Sequence, residues 1–171
     1  MKRLFFSLLC MLLLEAVQAQ IPQMSGKVIK VIDGDTFDIL QNSQSIRCRL
    51  VEVDAPERNQ PFGKQAADSL KILLLNQTVV CQPIAHDVYR RWLVRVMEVN
   101  QTPISLDSLL VCRGWAWSVK GWNKQGYSLD NDPMQSQAHW YSRGLWKCPN
   151  PVPPWLWRRF NAKTKLKYPC P

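Results

Sequence analysis

From Gly26 onward the chain alternates short β-branched runs with tight polar breaks, which commits it to a sheet that folds back on itself. Lys27-Val-Ile-Lys-Val-Ile32 is followed by Asp33-Gly34-Asp35 and then by Thr36-Phe-Asp-Ile-Leu40. A glycine between two such runs reads as a hairpin-type turn. A polar break from Gln41 to Ser45 leads into a third run, Ile46 to Val53, so the three segments predict a β-meander.

After Pro56 the period changes. Ala66, Ala67, Leu70, Leu73 and Leu74 recur at helical spacing before Asn76 and predict a first helix. Strand patterns return at Thr78 to Cys81 and Leu93 to Val99, the latter ending in an Asn100-Gln101 turn. Ser105 suits the N-cap of a short second helix closed by Arg113-Gly114, where the glycine accepts a left-handed conformation. A third helix is predicted to begin at Asp132-Pro133 and stop at Arg143-Gly144, with proline at its start and glycine at its end. Pro149, Pro151, Pro153, Pro154, Pro169 and Pro171 argue against regular structure in much of the tail. About five strands and three helices make this an α+β domain with a small antiparallel β-barrel. Such barrels place ligand sites on one face and its adjoining loops.

The N-terminus reads as an export signal spanning residues 1–19. Lys2 and Arg3 are followed by an apolar run from Leu4 to Leu14, and Val17-Gln18-Ala19 supplies small residues for cleavage. The run is far shorter than the roughly 20 residues of a membrane span, so no stable anchor is expected and the protein should be periplasmic or secreted. Residues 20–147 then form one barrel domain, and residues 148–171 a proline-rich C-terminal extension. Five cysteines follow the signal: Cys48, Cys81, Cys112, Cys148 and Cys170. Cys148 and Cys170 flank the proline-rich tail and are candidates to pin it by a bridge, whereas Cys48 and Cys81 lie in apolar strand patterns and read as core. The sequence leaves the connectivity open. Without a close-spaced Cys-x-x-Cys pair, and with only His86 and His139 beside these cysteines, a zinc site is disfavoured.

The formal net charge of +9 favours a polyanionic partner, of which nucleic acid is the obvious one, although exported proteins are often basic for other reasons. Chemistry concentrates in three segments at strand ends: Asp33-Gly-Asp35-Thr36; Arg49 through Val53-Asp54-Ala55-Pro56-Glu57; and Asp87-Val-Tyr89-Arg90-Arg91. Taken singly, Asp-Gly-Asp is an ordinary acidic turn, Glu57 a residue leading into a helix, and Arg91 a solvated charge. Glu52 reads as an exposed salt-bridge partner inside the third strand. Together the three segments supply hard oxygen ligands for a cation such as Ca²⁺, a carboxylate to activate water, and guanidiniums to hold a phosphate.

In spacing and residue type these segments resemble the staphylococcal nuclease, or thermonuclease-like, family, over about residues 25 to 147. The resemblance implies a five-stranded barrel of the OB-fold type and a calcium-dependent endonuclease that hydrolyses DNA and RNA as a monomer. It further implies little sequence preference and a bias toward single strands. It assigns Asp35, Asp54 and the backbone carbonyl of Ala55 as metal ligands, with Asp33 as a supporting acid; the family commonly has threonine at the position of Ala55. Glu57 is the implied general base, and Arg49 and Arg91 the arginines that grip the scissile phosphate. Tyr89 corresponds to a tyrosine that touches substrate phosphate. Lys120 and Trp122 fall where the family carries paired tyrosines against the base, which implies that Lys120 meets phosphate and that Trp122 either stacks on a base or packs on the barrel. Two departures stand out: Arg90 replaces the usual glycine before the catalytic arginine, and Trp92 follows it. Trp115 and Trp117 read as packing aromatics. The tail segments Trp146, Pro153-Pro154-Trp155 and Trp157-Arg158-Arg159 resemble C-terminal extensions that pack against the barrel. The alternative is a non-catalytic nucleic-acid-binding barrel, which has no need of Asp35, Arg49, Asp54, Glu57 and Arg91 together. A protein using its basic surface against membranes would need a basic amphipathic helix, and none of the three fits.

Overall fold

The alternating runs form strands whose inward side chains fill a closed barrel. The computed structural model describes residues 22–119, 132–168 and 170; the expected signal segment, Lys120 and Trp122 lie outside them. The strands are β1 (Met24–Val31), β2 (Thr36–Gln41), β3 (Gln44–Leu50), β4 (Val53–Asp54), β5 (Thr78–His86), β6 (Trp92–Val99), β7 (Thr102–Pro103) and β8 (Trp117–Ser118). The helices are α1 (Gly63–Leu74), α2 (Leu106–Cys112), α3 (Pro133–Trp140), α4 (Pro154–Trp157) and α5 (Ala162–Leu166), with a 3₁₀ turn at Gly144–Lys147.

Strands β1, β2, β3, β5 and β6 make the barrel. The order β3-β2-β1-β5-β6 is antiparallel throughout, and a parallel ladder between β3 and β6 closes it, pairing Cys48 with Trp92 and Leu50 with Val94. The expected five-stranded barrel is therefore present, with one parallel ladder that makes it mixed. Val28, Phe37, Ile39, Cys48, Leu50, Val79, Cys81 and Val94 fill the interior, and α1 caps it with Ala66, Leu70 and Leu74. Cys48 and Cys81 are free thiols in this core, where burial pushes Cys48 up to about 12. Both therefore behave as small apolar residues.

The predicted third strand is interrupted. Val51 and Glu52 bend out of the ladder, so β3 ends at Leu50 and Asp54 belongs to the separate two-residue β4, which pairs with β8. Glu52 accepts from Arg95 Nε at 2.9 Å, the salt bridge expected of it, although the pair is half-buried instead of exposed. Ser105 occupies the N-cap of α2, but its hydroxyl meets that of Ser108 rather than a backbone N–H. Asp132 caps α3 as predicted, accepting from the Met134 N–H at 2.9 Å, yet that helix ends at Trp140, before Arg143-Gly144. A second cluster of Trp117, Ala138, Leu145 and Trp146 joins α3 and the 3₁₀ turn to the barrel, while Trp115 packs on the main core.

The tail is more regular than its prolines imply, because Pro154 sits in the first turn of α4, where a missing N–H costs nothing. Cys148 and Cys170 form a disulfide. Trp157, only 2% exposed, donates through Nε1 to Asn59 Oδ1 at 3.0 Å, and Gln60 Nε2 donates to the Val152 carbonyl at 2.6 Å. The extension is thus strapped against the loop that follows Pro56.

Candidate active site

Sheet register gathers the acids and arginines. Thr36 pairs with Arg49 across β2 and β3, so Arg49 reaches past its neighbour to the carboxylate of Asp35. Its Nη1 lies 2.7 Å from Asp35 Oδ1 and its Nη2 2.6 Å from Asp54 Oδ1, so one guanidinium bridges the two carboxylates. Asp35 also accepts from the Thr36 hydroxyl at 2.9 Å and, through Oδ2, from the Ala55 N–H at 3.0 Å. Asp33 accepts from the Asp35 N–H at 3.2 Å, an Asx contact that shapes the turn. Gly34 in that turn is required by close approach: a Cβ there would stand 2.6 Å from the Ala55 Cβ. The turn is thereby pressed onto the segment that carries Asp54 and Ala55.

Burial dominates the electrostatics. Asp35 and Asp54 are 2% and 4% exposed. Burial pushes the Asp35 carboxyl well above the usual carboxylate range; Arg49 opposes this, and Asp33 and Asp54 add to it. Burial likewise works against the Arg49 charge, but Asp35 and Asp54 outweigh it and hold the guanidinium firmly protonated. A site in which acids crowd one another in this way favours a cationic partner.

Glu57 stands at the start of the loop between β4 and α1. Its carbonyl accepts from the Gln60 N–H at 2.8 Å, its own N–H donates to Gln60 Oε1 at 3.1 Å, and Gly63 passes close beneath. A Cβ on Gly63 would lie 1.8 Å from the Glu57 carbonyl oxygen, so the loop closes only with glycine there. Arg91 arrives from the turn between β5 and β6. Asp87 Oδ1 accepts from the N–H groups of Tyr89 and Arg91, both at 2.9 Å, while Asp87 Oδ2 receives Arg91 Nε at 2.7 Å. Arg91 Nη1 reaches Thr36 Oγ1 at 3.4 Å, which ties this turn to the Asp35 segment. Arg90 adopts φ 62°, the left-handed region that glycine occupies freely.

Asp33, Arg49, Glu57, Tyr89 and Arg91 line one open cleft of about 660 Å³. Asp35 and Asp54 lie beneath it, joined to it through Arg49. Tyr89 is 77% exposed, and the Arg91 guanidinium lies 5.3 Å from its ring centre. Of the residues singled out from sequence, all but Lys120 and Trp122 are described, and these are brought together. A further charged cleft residue was read from sequence only as part of a tail that packs against the barrel. Arg158, just after α4, places Nη1 2.5 Å from Glu57 Oε1 and Nη2 3.1 Å from Asp54 Oδ2. Those contacts span 101 and 104 residues, and no local pattern announces them.

The donor set fits a hard cation. Two carboxylates bridged by a single guanidinium offer oxygen only, as Ca²⁺ and Mg²⁺ require. Among the described residues no group of three or more His, Cys, Asp or Glu side chains is placed to hold a metal ion, so a cation held by Asp35 and Asp54 would need carbonyl and water oxygens to complete its shell.

A sequence model described as "Staphylococcal nuclease homologue" matches residues 47–148. An uncharacterized endonuclease of Escherichia coli O157:H7 is 36% identical over 137 residues, covering 78% of this chain and 84% of its own. A micrococcal nuclease of Shigella flexneri is 35% identical over 144 residues, covering 78% of this chain and 80% of its own. An uncharacterized endonuclease of Haemophilus influenzae is 36% identical over 136 residues, covering 78% and 72%.

Proposed function

Because this chain belongs to the staphylococcal nuclease homologue family and is a phosphodiester-hydrolysing nuclease, we propose that it is a calcium-dependent endonuclease cutting DNA and RNA with little sequence preference. Asp35, Asp54 and the Ala55 carbonyl would hold Ca²⁺, with Asp33 in support. When bound, that ion neutralises a non-bridging phosphate oxygen. Glu57 takes a proton from the attacking water, and its partly exposed carboxylate faces the cleft where that water must come. Arg49 and Arg91 stabilise the charge that builds on the phosphorane oxygens. Tyr89 contacts phosphate at the cleft edge; by the family resemblance Lys120 meets phosphate and Trp122 stacks on a base. Low sequence preference follows from gripping phosphate rather than base edges. The bias toward single strands and action as a monomer rest on the family resemblance, and export rests on the signal-like pattern of residues 1–19.

The observation that best supports this reading is the Arg49 bridge between Asp35 and Asp54 beneath a cleft lined by Glu57 and Arg91. A barrel that only bound nucleic acid would gain nothing from carboxylates buried under its arginines, since they repel phosphate. Digestion of single-stranded DNA with Ca²⁺ or with chelator tests the proposal. Cleavage with Ca²⁺ that chelator abolishes is expected. Equal cleavage in both removes the metal, and strand binding without cleavage in either removes catalysis.

A further inference from the structure

The extension after Cys148 delivers one side chain into the cleft and anchors everything around it. Trp157 is buried against Asn59, Gln60 holds the Val152 carbonyl, and the Cys148–Cys170 disulfide closes the segment. Arg158 follows Trp157 directly, so its backbone is fixed while its side chain remains 47% exposed. It lines the same cleft as Arg49, Arg91 and Tyr89, and donates to Glu57 and to both oxygens of Asp54. A long, half-exposed side chain on a rigid base can exchange partners without moving the tail.

We propose that Arg158 is a third substrate-binding arginine of the cleft, which pairs with Asp54 and Glu57 until a divalent cation takes Asp54 and the phosphate of a bound strand takes the guanidinium. This rests on the calcium reading above. Arg158 and a cation draw on the same Asp54 oxygens, so each weakens the other's hold. Leaving Glu57 also frees that carboxylate to accept the proton of water. The guanidinium then faces a cleft already lined by two arginines, where a phosphodiester is the available anion, and its planar fork suits phosphate as well as carboxylate.

Calorimetric titration of Ca²⁺ into the full exported chain, disulfide intact and without nucleic acid, separates the possibilities. R158Q is expected to bind Ca²⁺ about tenfold more tightly than the parent, R158K close to the parent, and D54N far more weakly. At saturating Ca²⁺, R158Q should raise KM for a single-stranded oligonucleotide about tenfold, with kcat within about twofold and R158K restoring KM. Loss of the Arg158 charge beside Asp54 tightens calcium binding in either role, so the change in KM and its restoration by R158K are what separate substrate binding from a merely structural ion pair. Unchanged affinity in R158Q, with binding lost in D54N, overturns the proposal and leaves the calcium reading standing. Tighter calcium binding with unchanged KM also overturns it, reducing Arg158 to an inhibitory plug. Calcium affinity indifferent to D54N overturns both readings.

Discussion

Arg90 carries a backbone conformation that its own side chain opposes. At φ 62° a residue with a Cβ is strained, and the cost is typically about 1 kcal/mol or more. R90G should therefore stabilise the protein by about 1 kcal/mol in urea unfolding, with an unchanged denaturant slope. A loss of stability would mean that the Arg90 side chain makes contacts that outweigh the strain. The position is instructive about what single residues disclose. The departure from glycine was visible in sequence, and so were Asp35, Arg49, Asp54, Glu57 and Arg91, because each lies in a short motif whose spacing the strands preserve. Arg158 was not visible as a site residue, since its meeting with Glu57 depends on the path of a tail about a hundred residues away.

At the scale of elements, the turn from Asp87 to Arg91 uses one carboxylate to position the arginine proposed to grip phosphate. Burial works against the Asp87 charge, but hydrogen bonds from Arg91 and Tyr89 outweigh it and hold the group below the usual carboxylate range. A depressed acid contributes stability that is complete above its unfolded value and disappears as pH falls through the folded one. D87A should thus cost about 1–2 kcal/mol at neutral pH. That difference should shrink below roughly pH 4, as the parent loses the same interaction. A penalty independent of pH would locate the effect in turn geometry instead of charge. Most elements were legible in the sequence because alternation and helical spacing are local. The closure of the barrel was not, since the parallel pairing of β3 with β6 joins strands more than forty residues apart. The break at Val51-Glu52 was hidden for a different reason: a β-branched run reads as one strand, even where pairing with β8 draws its end into another sheet.

Over the whole molecule, the Cys148–Cys170 disulfide closes the extension into a loop, and Trp157, Arg158 and the Val152 carbonyl tie that loop to the barrel domain. By loop-closure entropy a bridge of 22-residue separation contributes roughly 3 kcal/mol at most to the tail's attachment. C148S, or reduction of the parent, should make the segment after Cys148 the first site of proteolytic cutting, while the barrel keeps its melting behaviour. Simultaneous loss of barrel and tail would show a single cooperative unit. In the cleft beside the extension, Glu57 is the group proposed to activate water. Single-turnover cleavage of a labelled single-stranded oligonucleotide by E57Q at saturating Ca²⁺ tests that role most directly. A rate at least about a hundredfold below the parent, with strand affinity preserved, is expected. Cleavage by E57Q within about threefold of the parent would contradict it.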